Sequence, residues 1–270
     1  MPDAEPPTLS SALGRLAAET AALDETLAGL SAADWARLTP FKGWTIFDHV
    51  HHLNLSDDLA ASAQQDPEAF REARRTAGPP PPDGRGHDGS PDIPPLEMLA
   101  RWRRGARALM DGFRWADPTK RLPWFGPDMA PDTFINARLM ETWAHGQTIY
   151  DALGIERAPT DRIRPICDLG WRTMGWSFRV RGLPRPAMRV SLRLTSPSGE
   201  TWRWGPDQEG ELIEGPAADF ALVVCQCRNI ADVGLRVTGK AAGDWMAIAQ
   251  CFAGQAVDPP APGARLRRAD

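Results

Sequence analysis

Long apolar segments are missing from the sequence. No run approaches the roughly 20 consecutive apolar residues that a membrane-spanning helix requires. The first residues, Met1-Pro-Asp-Ala-Glu-Pro-Pro, also lack a basic stretch followed by an apolar one, which is the pattern of a secretory signal. We therefore expect a cytoplasmic protein that makes no membrane contact.

Cysteine and excess positive charge are scarce as well. The four cysteines, Cys167, Cys225, Cys227 and Cys251, all lie in the C-terminal part, and two of them are separated by one residue. Such spacing indicates neither a disulfide scaffold nor a zinc knuckle, so buried and unreactive thiols are expected. The formal net charge of -4 and the pI near 5.8 disfavour nucleic acid and anionic lipid as partners.

Histidine is scarce too, and its distribution is uneven. Only five histidines occur, and three of them, His49, His51 and His52, are close neighbours. His145 follows Glu141 by four positions, so on an α-helix these two side chains point the same way, one turn apart. A carboxylate and an imidazole in this arrangement form half of a metal site, and a third ligand must come from another helix. A surface pair of Glu141 and His145 is the alternative that the spacing leaves open.

The histidine triplet has a geometry of its own. His49 and His52 are three apart and share a helix face, whereas His51 is rotated by about 100° from His52 and faces elsewhere. Only one or two of the three can therefore reach a common ion. Asp48 precedes His52 by four residues, where it can accept a hydrogen bond from the far ring nitrogen of His52. For the triplet taken alone, solvent-facing histidines are the alternative.

Apolar residues recur with helical spacing in residues 1–155 and predict a bundle of four long helices. The helices are predicted at Leu9–Leu30, from Thr45 through Leu59, at Leu96–Phe113 and at Pro131–Leu153. Residues 77–95 are rich in proline and glycine and predict a long loop, in which His87 and Asp88 are expected to be solvated.

Residues 156–258 predict a smaller second domain of mixed α/β type, and residues 259–270 a loose tail. Alternating apolar residues predict strands there, and apolar residues three or four apart predict helices. The predicted elements are a helix at Asp161–Phe178, a hairpin of strands at Ala187–Thr195 and Thr201–Trp204, a strand at Glu211–Glu214, a helix at Ala217–Arg228, a strand at Val233–Thr238 and a helix at Ala241–Phe252.

Two motifs carry a family resemblance. Gly43-Trp44-Thr45-x-x-Asp48-x-x-x-His52-Leu53, followed some ninety residues later by Glu141-x-x-x-His145, resembles the DinB-like four-helix metalloprotein superfamily. Within it the chain is most similar to the mycothiol-dependent maleylpyruvate isomerase group. The resemblance implies that His52, Glu141 and His145 are the metal ligands and that His49 and His51 lie outside the ligand pattern, with His49 as a possible extra polar group at the site. It also implies that the C-terminal domain is sterol-carrier-like.

The resemblance also implies an arginine that contributes to activity, near the end of the helix that follows the hairpin. Arg228 is the matching residue, as a catalytic and cofactor-binding group. Its alternative role is to place a positive charge at the C-terminus of that helix. On the bundle, Arg138 shares a face with Glu141 and His145, and we expect Arg138 and Arg228 to orient carboxylates of the thiol or the substrate.

The function that these expectations give is that of a metal-dependent enzyme. Three protein ligands leave an open coordination position, where a divalent metal can bind a low-molecular-weight thiol such as mycothiol and stabilise its thiolate. Zinc is the expected metal, with nickel, iron and manganese as alternatives. The thiolate would transfer to a small electrophilic molecule, or assist its isomerisation.

Two other functions stay open from the sequence. The same three ligands suit a hydrolase that uses metal-activated water, which would turn over without any thiol. A protein that binds a metal or a small molecule without turnover is the third possibility. The sequence predicts no oligomeric state.

Overall fold

The computed structural model describes residues 8–78, 89–206 and 210–266 of the chain. The chain divides into two compact units, Met1–Ala152 and Leu153–Asp270. Within the described ranges, no helix combines the length and the apolarity needed to cross a membrane.

The described part of the first unit is helical. Its helices are α1 (Leu9–Ala28), α2 (Ala32–Trp35), α3 (Ile46–Gln65), α4 (Pro67–Ala77), α5 (Pro95–Phe113) and α6 (Pro131–Leu153). The four long helices that the apolar spacing predicts are thus confirmed. Helix α4 is an addition to the predicted set, and its start has a recognisable signal: the Asp66 side chain accepts a hydrogen bond from the Ala69 amide, and Pro67 takes the first helical position.

Helix α3 begins where the sequence predicts. The Thr45 side chain caps it by accepting from the Asp48 amide, while the Asp48 carboxylate accepts from the Thr45 amide. This reciprocal capping box satisfies backbone donors that the first turn leaves unpaired, and it sets the residue at which α3 begins.

One apolar core joins five of these helices. It contains Ala12, Leu13 and Leu16 of α1, Ala60 and Ala63 of α3, Phe70 of α4, Leu109 and Phe113 of α5, and Phe134, Ile135 and Leu139 of α6, together with Leu122. Burying these side chains supplies the main stabilisation of the unit. The polar residues between α3 and α6 lie beside this apolar core.

The second unit contains a small mixed sheet with short helices. The strands β1 (Ser191–Thr195), β2 (Thr201–Trp204), β3 (Leu212–Pro216) and β4 (Arg236–Thr238) lie in the order β2-β1-β3-β4. Strands β1 and β2 form the predicted antiparallel hairpin, β1 and β3 are parallel, and β3 and β4 are antiparallel. The helices are α7 (Arg164–Arg172), α8 (Met174–Arg179), α9 (Ala217–Val224) and α10 (Lys240–Met246). The predicted mixed α/β class is therefore confirmed.

Three predicted helices of this unit are longer than the observed ones. The helix expected at 161–178 is broken at Thr173, because the Thr173 hydroxyl donates to the Leu169 and Gly170 carbonyls and separates α7 from α8. The helix expected at 217–228 ends at Val224, because Gln226 adopts a left-handed φ of 56° and the Cys227 amide turns back to the Leu222 carbonyl.

The last helix ends at Met246 and does not reach Phe252. The Gln250 amide donates to the Ser177 hydroxyl, which in turn donates to the Gln250 carbonyl. These two hydrogen bonds hold the chain after α10 against α8, and they satisfy buried groups that a longer helix would have paired internally.

The predicted loop at 77–95 and the predicted tail at 259–270 lie partly outside the described residues. The predicted loop at 77–95 begins at the last residue of α4 and ends at the first residue of α5. His87 and Asp88 lie outside the described residues, as do residues 267–270 of the predicted tail.

Candidate metal centre

Helices α3 and α6 bring the three predicted ligands together. His52 projects from α3, and Glu141 and His145 from α6. The Glu141 Oε2 atom lies 3.4 Å from His145 Nε2 and 3.7 Å from His52 Nε2. One ligand atom from each residue falls within 4.8 Å of the other two. Glu141 and His145 of α6 therefore face α3, which supplies the third predicted ligand, His52.

This ligand set suits a divalent metal. Two ligand atoms about 2.0–2.1 Å from a tetrahedral zinc ion lie about 3.4 Å apart, which is close to the two Glu141 distances. Two imidazoles and one carboxylate are also a typical ligand set of catalytic zinc sites, in which a further position stays open. The residues present thus fit the metal that the sequence predicts.

The charges of the site suit a cation as well. Burial acts to raise the pKa of the Glu141 carboxyl, but the combined hydrogen bonds and charges of His145 and His52 outweigh it and hold that pKa well below its usual range. Burial, assisted by the neighbouring His52, lowers the pKa of His145 to about 4. At neutral pH the site therefore presents an ionised carboxylate and a neutral His145 imidazole, the protonation states that metal binding requires.

The shifted pKa of His145 predicts how the stability of the metal-free protein depends on pH. The unfolded chain takes up a proton at this imidazole below about pH 6.5, whereas the folded protein does so only near pH 4. The free energy of unfolding should therefore fall as the pH is lowered through this window, by about 3 kcal/mol, since one pKa unit corresponds to about 1.4 kcal/mol. Urea unfolding at several pH values between 4 and 7 measures it.

A His145→Asn variant is the control for this prediction. It keeps a polar side chain of similar reach but does not titrate, so the difference between the two stability curves contains the titration of His145 together with the change in the Glu141 pKa that His145 holds low. A difference that stays constant between pH 4 and 7 would contradict the prediction.

A short hairpin places aromatic rings against the histidines. Thr39 and Trp44 are joined by a backbone hydrogen bond, and the turn between Phe41 and Trp44 has positive φ at both central positions, 52° at Lys42 and 68° at Gly43. The Trp44 ring lies nearly parallel to the His145 ring, with a centroid distance of 5.8 Å, and Phe41 meets the same ring edge-on at 5.6 Å. Trp44 is 1% exposed, so the hairpin shields one side of the site from water.

The neighbours of His52 have different positions. His49 is fully buried behind His145, with 2.7 Å between the two Nδ1 atoms, and its Nε2 atom lies 3.0 Å from the Thr39 hydroxyl. The Asp48 carboxylate serves the capping box of α3 and accepts from the Ser90 hydroxyl. Its predicted hydrogen bond to His52 stays a prediction. His51 is not one of the three grouped ligands and is partly buried.

Arg138 has a carboxylate partner inside the bundle. Its Nε and Nη2 atoms lie 3.1 and 3.0 Å from Asp57 Oδ1, and both side chains are almost completely buried. The predicted contact of Arg138 with a substrate carboxylate stays a prediction, whereas the pair with Asp57 is a feature that the sequence analysis missed. A signal for this pair was available in the sequence: Asp57 follows Leu53 by four positions and therefore lies on the apolar face of α3, where a carboxylate needs a partner.

The polar contacts between α3 and α6 follow an order. His49 meets His145, His52 meets Glu141, and Asp57 meets Arg138. Residue numbers rise along α3 while they fall along α6, so the two helices run antiparallel with a fixed register. We call these three contacts the polar seam.

Arg228 lies outside the helix in which it was expected. Helix α9 ends at Val224, and the Arg228 guanidinium donates to the Cys227 carbonyl at 2.8 Å. The prediction that Arg228 lies within this helix is therefore wrong: Arg228 belongs to the segment that follows α9, because the left-handed backbone of Gln226 ends the helix early. Its catalytic and cofactor-binding roles stay predictions.

Comparison with known proteins places these observations in a family. The family model of the mycothiol maleylpyruvate isomerase N-terminal domain matches residues 16–150. Two uncharacterized proteins from two strains of Mycobacterium tuberculosis are each 39% identical over 251 residues, which cover 92% of this chain and 96% of theirs. A crystal structure of a mutant of the mycothiol-dependent maleylpyruvate isomerase has a TM-score of 0.52 at 14% identity, covers 80% of this chain and 88% of its own, and has a similar fold. The chain therefore belongs to the family of the mycothiol maleylpyruvate isomerase N-terminal domain.

Proposed function

We propose that the protein is a thiol-dependent isomerase that acts on a small electrophilic molecule, with a divalent metal, zinc first, held by His52, Glu141 and His145. Transfer of the thiol to the electrophile is the closely related outcome at the same site. The observation that carries the proposal is the convergence of these three ligand atoms within 4.8 Å, in a chain of this family. Mycothiol is the thiol, and maleylpyruvate the first electrophile, that the family suggests.

The protonation states of the ligands favour a thiolate at this place. A divalent cation held there would act as a Lewis acid and lower the pKa of a thiol that reaches the open position. Glu141 contributes one negative charge and neutral His145 none, so a single carboxylate leaves part of the cationic charge uncompensated. The Trp44 and Phe41 rings exclude water from the side of His145, which strengthens these electrostatic interactions.

The chain's own cysteines support a thiol that comes from outside. All four, Cys167, Cys225, Cys227 and Cys251, are buried and belong to the second unit. Burial raises the pKa of the Cys167 thiol, so this group is a poor nucleophile at neutral pH. A sulfur nucleophile for the site on α3 and α6 is therefore best supplied by a cosubstrate.

A thiol-dependence assay tests the proposal. Zinc-loaded protein is incubated with maleylpyruvate, with and without mycothiol, and product formation is followed. We expect turnover only when the thiol is present, loss of at least about 90% of it after chelation, and recovery when zinc is added back, because the ligands themselves remain in place.

The rival functions give different results in the same assay. Turnover without thiol would favour a hydrolase that uses activated water. Tight binding of zinc without product from a panel of thiols and electrophiles would favour a non-catalytic binding protein. Either result would overturn the proposal.

The two predicted arginines enter the proposal differently. The pair with Asp57 holds Arg138 inside the bundle, next to the helix turn that carries Glu141, where it supports the geometry of α6. Arg228, in the segment after α9, keeps the proposed role of a carboxylate-binding group.

A further inference from the structure

A buried chain of side chains extends away from the metal ligands. His145 Nδ1 lies 2.7 Å from His49 Nδ1, and His49 Nε2 lies 3.0 Å from Thr39 Oγ1. His49 is fully buried, and Thr39 is 6% exposed. The Thr39 hydroxyl oxygen also accepts from the Phe41 amide at 3.3 Å. The chain thus runs from a predicted ligand to the aromatic hairpin.

The contact between the two Nδ1 atoms restricts where protons sit. A neutral imidazole carries one N–H donor and one bare acceptor nitrogen. At 2.7 Å, one Nδ1 must donate and the other must accept, because two hydrogens or two lone pairs facing each other would repel. The rings therefore have two possible polarities, and the choice for one ring fixes the other.

Metal binding selects one of these polarities. The Nε2 atom of His145 faces Glu141, and it must be bare to bind a cation, so the proton of His145 must sit on Nδ1. His49 Nδ1 then accepts this proton in a hydrogen bond, and His49 Nε2–H donates to the Thr39 oxygen. The opposite polarity places the proton of His145 on Nε2, where it points to Glu141 Oε2 and blocks the ligand position.

We propose that His49 is a positioning residue, which orients the His145 ring and holds its metal-binding tautomer by accepting a hydrogen bond from His145 Nδ1. This inference rests on the metal site of the proposed function. Outer partners of metal-bound histidines are usually carboxylates, carbonyls or water, and here an imidazole takes this place. Each ring keeps one proton in either polarity, so the arrangement changes no charge in the buried site.

Two variants, each of which places an amide near one ring nitrogen of His49, separate this role from simple space filling. In His49→Asn, the amide oxygen lies near the former Nδ1 position and can still accept from His145, whereas in His49→Gln the amide lies near the former Nε2 position and can reach only Thr39. Zinc affinity is measured by competition with a chromophoric chelator. We expect His49→Gln to weaken zinc binding by about 10- to 100-fold, the usual cost of losing such a partner, and His49→Asn to weaken it by less than about 5-fold.

A second measurement does not depend on the variants folding. In zinc-loaded wild-type protein labelled with ¹⁵N-histidine, nitrogen–proton correlation spectra should show His49 protonated on Nε2 and bare on Nδ1. The reverse assignment would overturn the inference, and so would equal zinc affinities of the Asn and Gln variants. Wild-type protein that binds no zinc would defeat the proposed function, whereas wild-type protein that binds zinc with the wrong His49 tautomer would defeat only the role of His49.

Discussion

Glu141→Gln should reduce the zinc content of the purified protein from about one equivalent to nearly none and remove thiol-dependent turnover. Glutamine has the shape of glutamate but offers a neutral amide oxygen in place of a carboxylate, which is a far weaker ligand for a divalent cation. The Glu141 carboxylate lies 3.7 Å from His52 Nε2 and 3.4 Å from His145 Nε2, so the substitution removes the charged group that lies between the two histidines. We expect zinc affinity to fall by more than the roughly 100-fold that loss of an outer partner can cost.

Elemental analysis and the thiol-dependence assay measure these effects, and Glu156→Gln is the matched control. Glu156 is an exposed carboxylate fifteen positions further along the chain, and the same substitution there should leave zinc content and turnover unchanged. Circular dichroism confirms that both variants keep their helices. A Glu141→Gln protein with full zinc content and wild-type turnover would show that the three grouped residues are not the metal site.

Asp57→Ala should destabilise the protein by about 3–5 kcal/mol, because it leaves the buried Arg138 guanidinium without its counter-charge. Burial raises the pKa of Asp57 in spite of Arg138, which indicates that bringing this carboxylate out of water is costly. A pair of this kind contributes little when intact, yet it harms the fold when only one partner remains. Urea unfolding at pH 7 gives the free energy of unfolding.

The double variant Asp57→Leu with Arg138→Met tests this explanation. It removes both charges and fills a similar volume with apolar atoms, so we expect a stability within about 1 kcal/mol of wild type. Asp58→Ala serves as the local control: Asp58 is exposed, accepts from Asn54 on the same helix, and should cost less than about 1 kcal/mol. If the double variant is as unstable as Asp57→Ala, the loss comes from the Asp57 side chain itself and not from an unpaired Arg138.

The parts of the site that depend on local spacing could be predicted from the sequence. Glu141 and His145 are neighbours because a helix places residues four apart on one face, and this brings their end atoms close enough for the observed 3.4 Å contact. The bundle helices could be predicted for the same reason, since their apolar stripes repeat along the chain. That His52 joins this pair came from the family resemblance, because no local rule links α3 to α6.

The parts that the sequence did not predict depend on distant contacts. His49 is three residues from His52, and spacing alone suggests a shared role as ligand, but packing places it behind His145. Asp57 pairs with a residue 81 positions away. The early end of α9 depends on the left-handed Gln226, a conformation that glutamine rarely adopts and that the sequence does not signal.

The polar seam has a consequence for how the first unit folds. Its three contacts join residues that are 81 to 96 positions apart, so the chain must close a long loop, at a cost in conformational entropy, before any of them forms. In the unfolded chain only Glu141 and His145 keep a local relation. A cation therefore finds a complete set of ligands only in molecules that have already paired α3 with α6. Metal binding then shifts the folding equilibrium toward the folded state, but only after this long-range contact has formed.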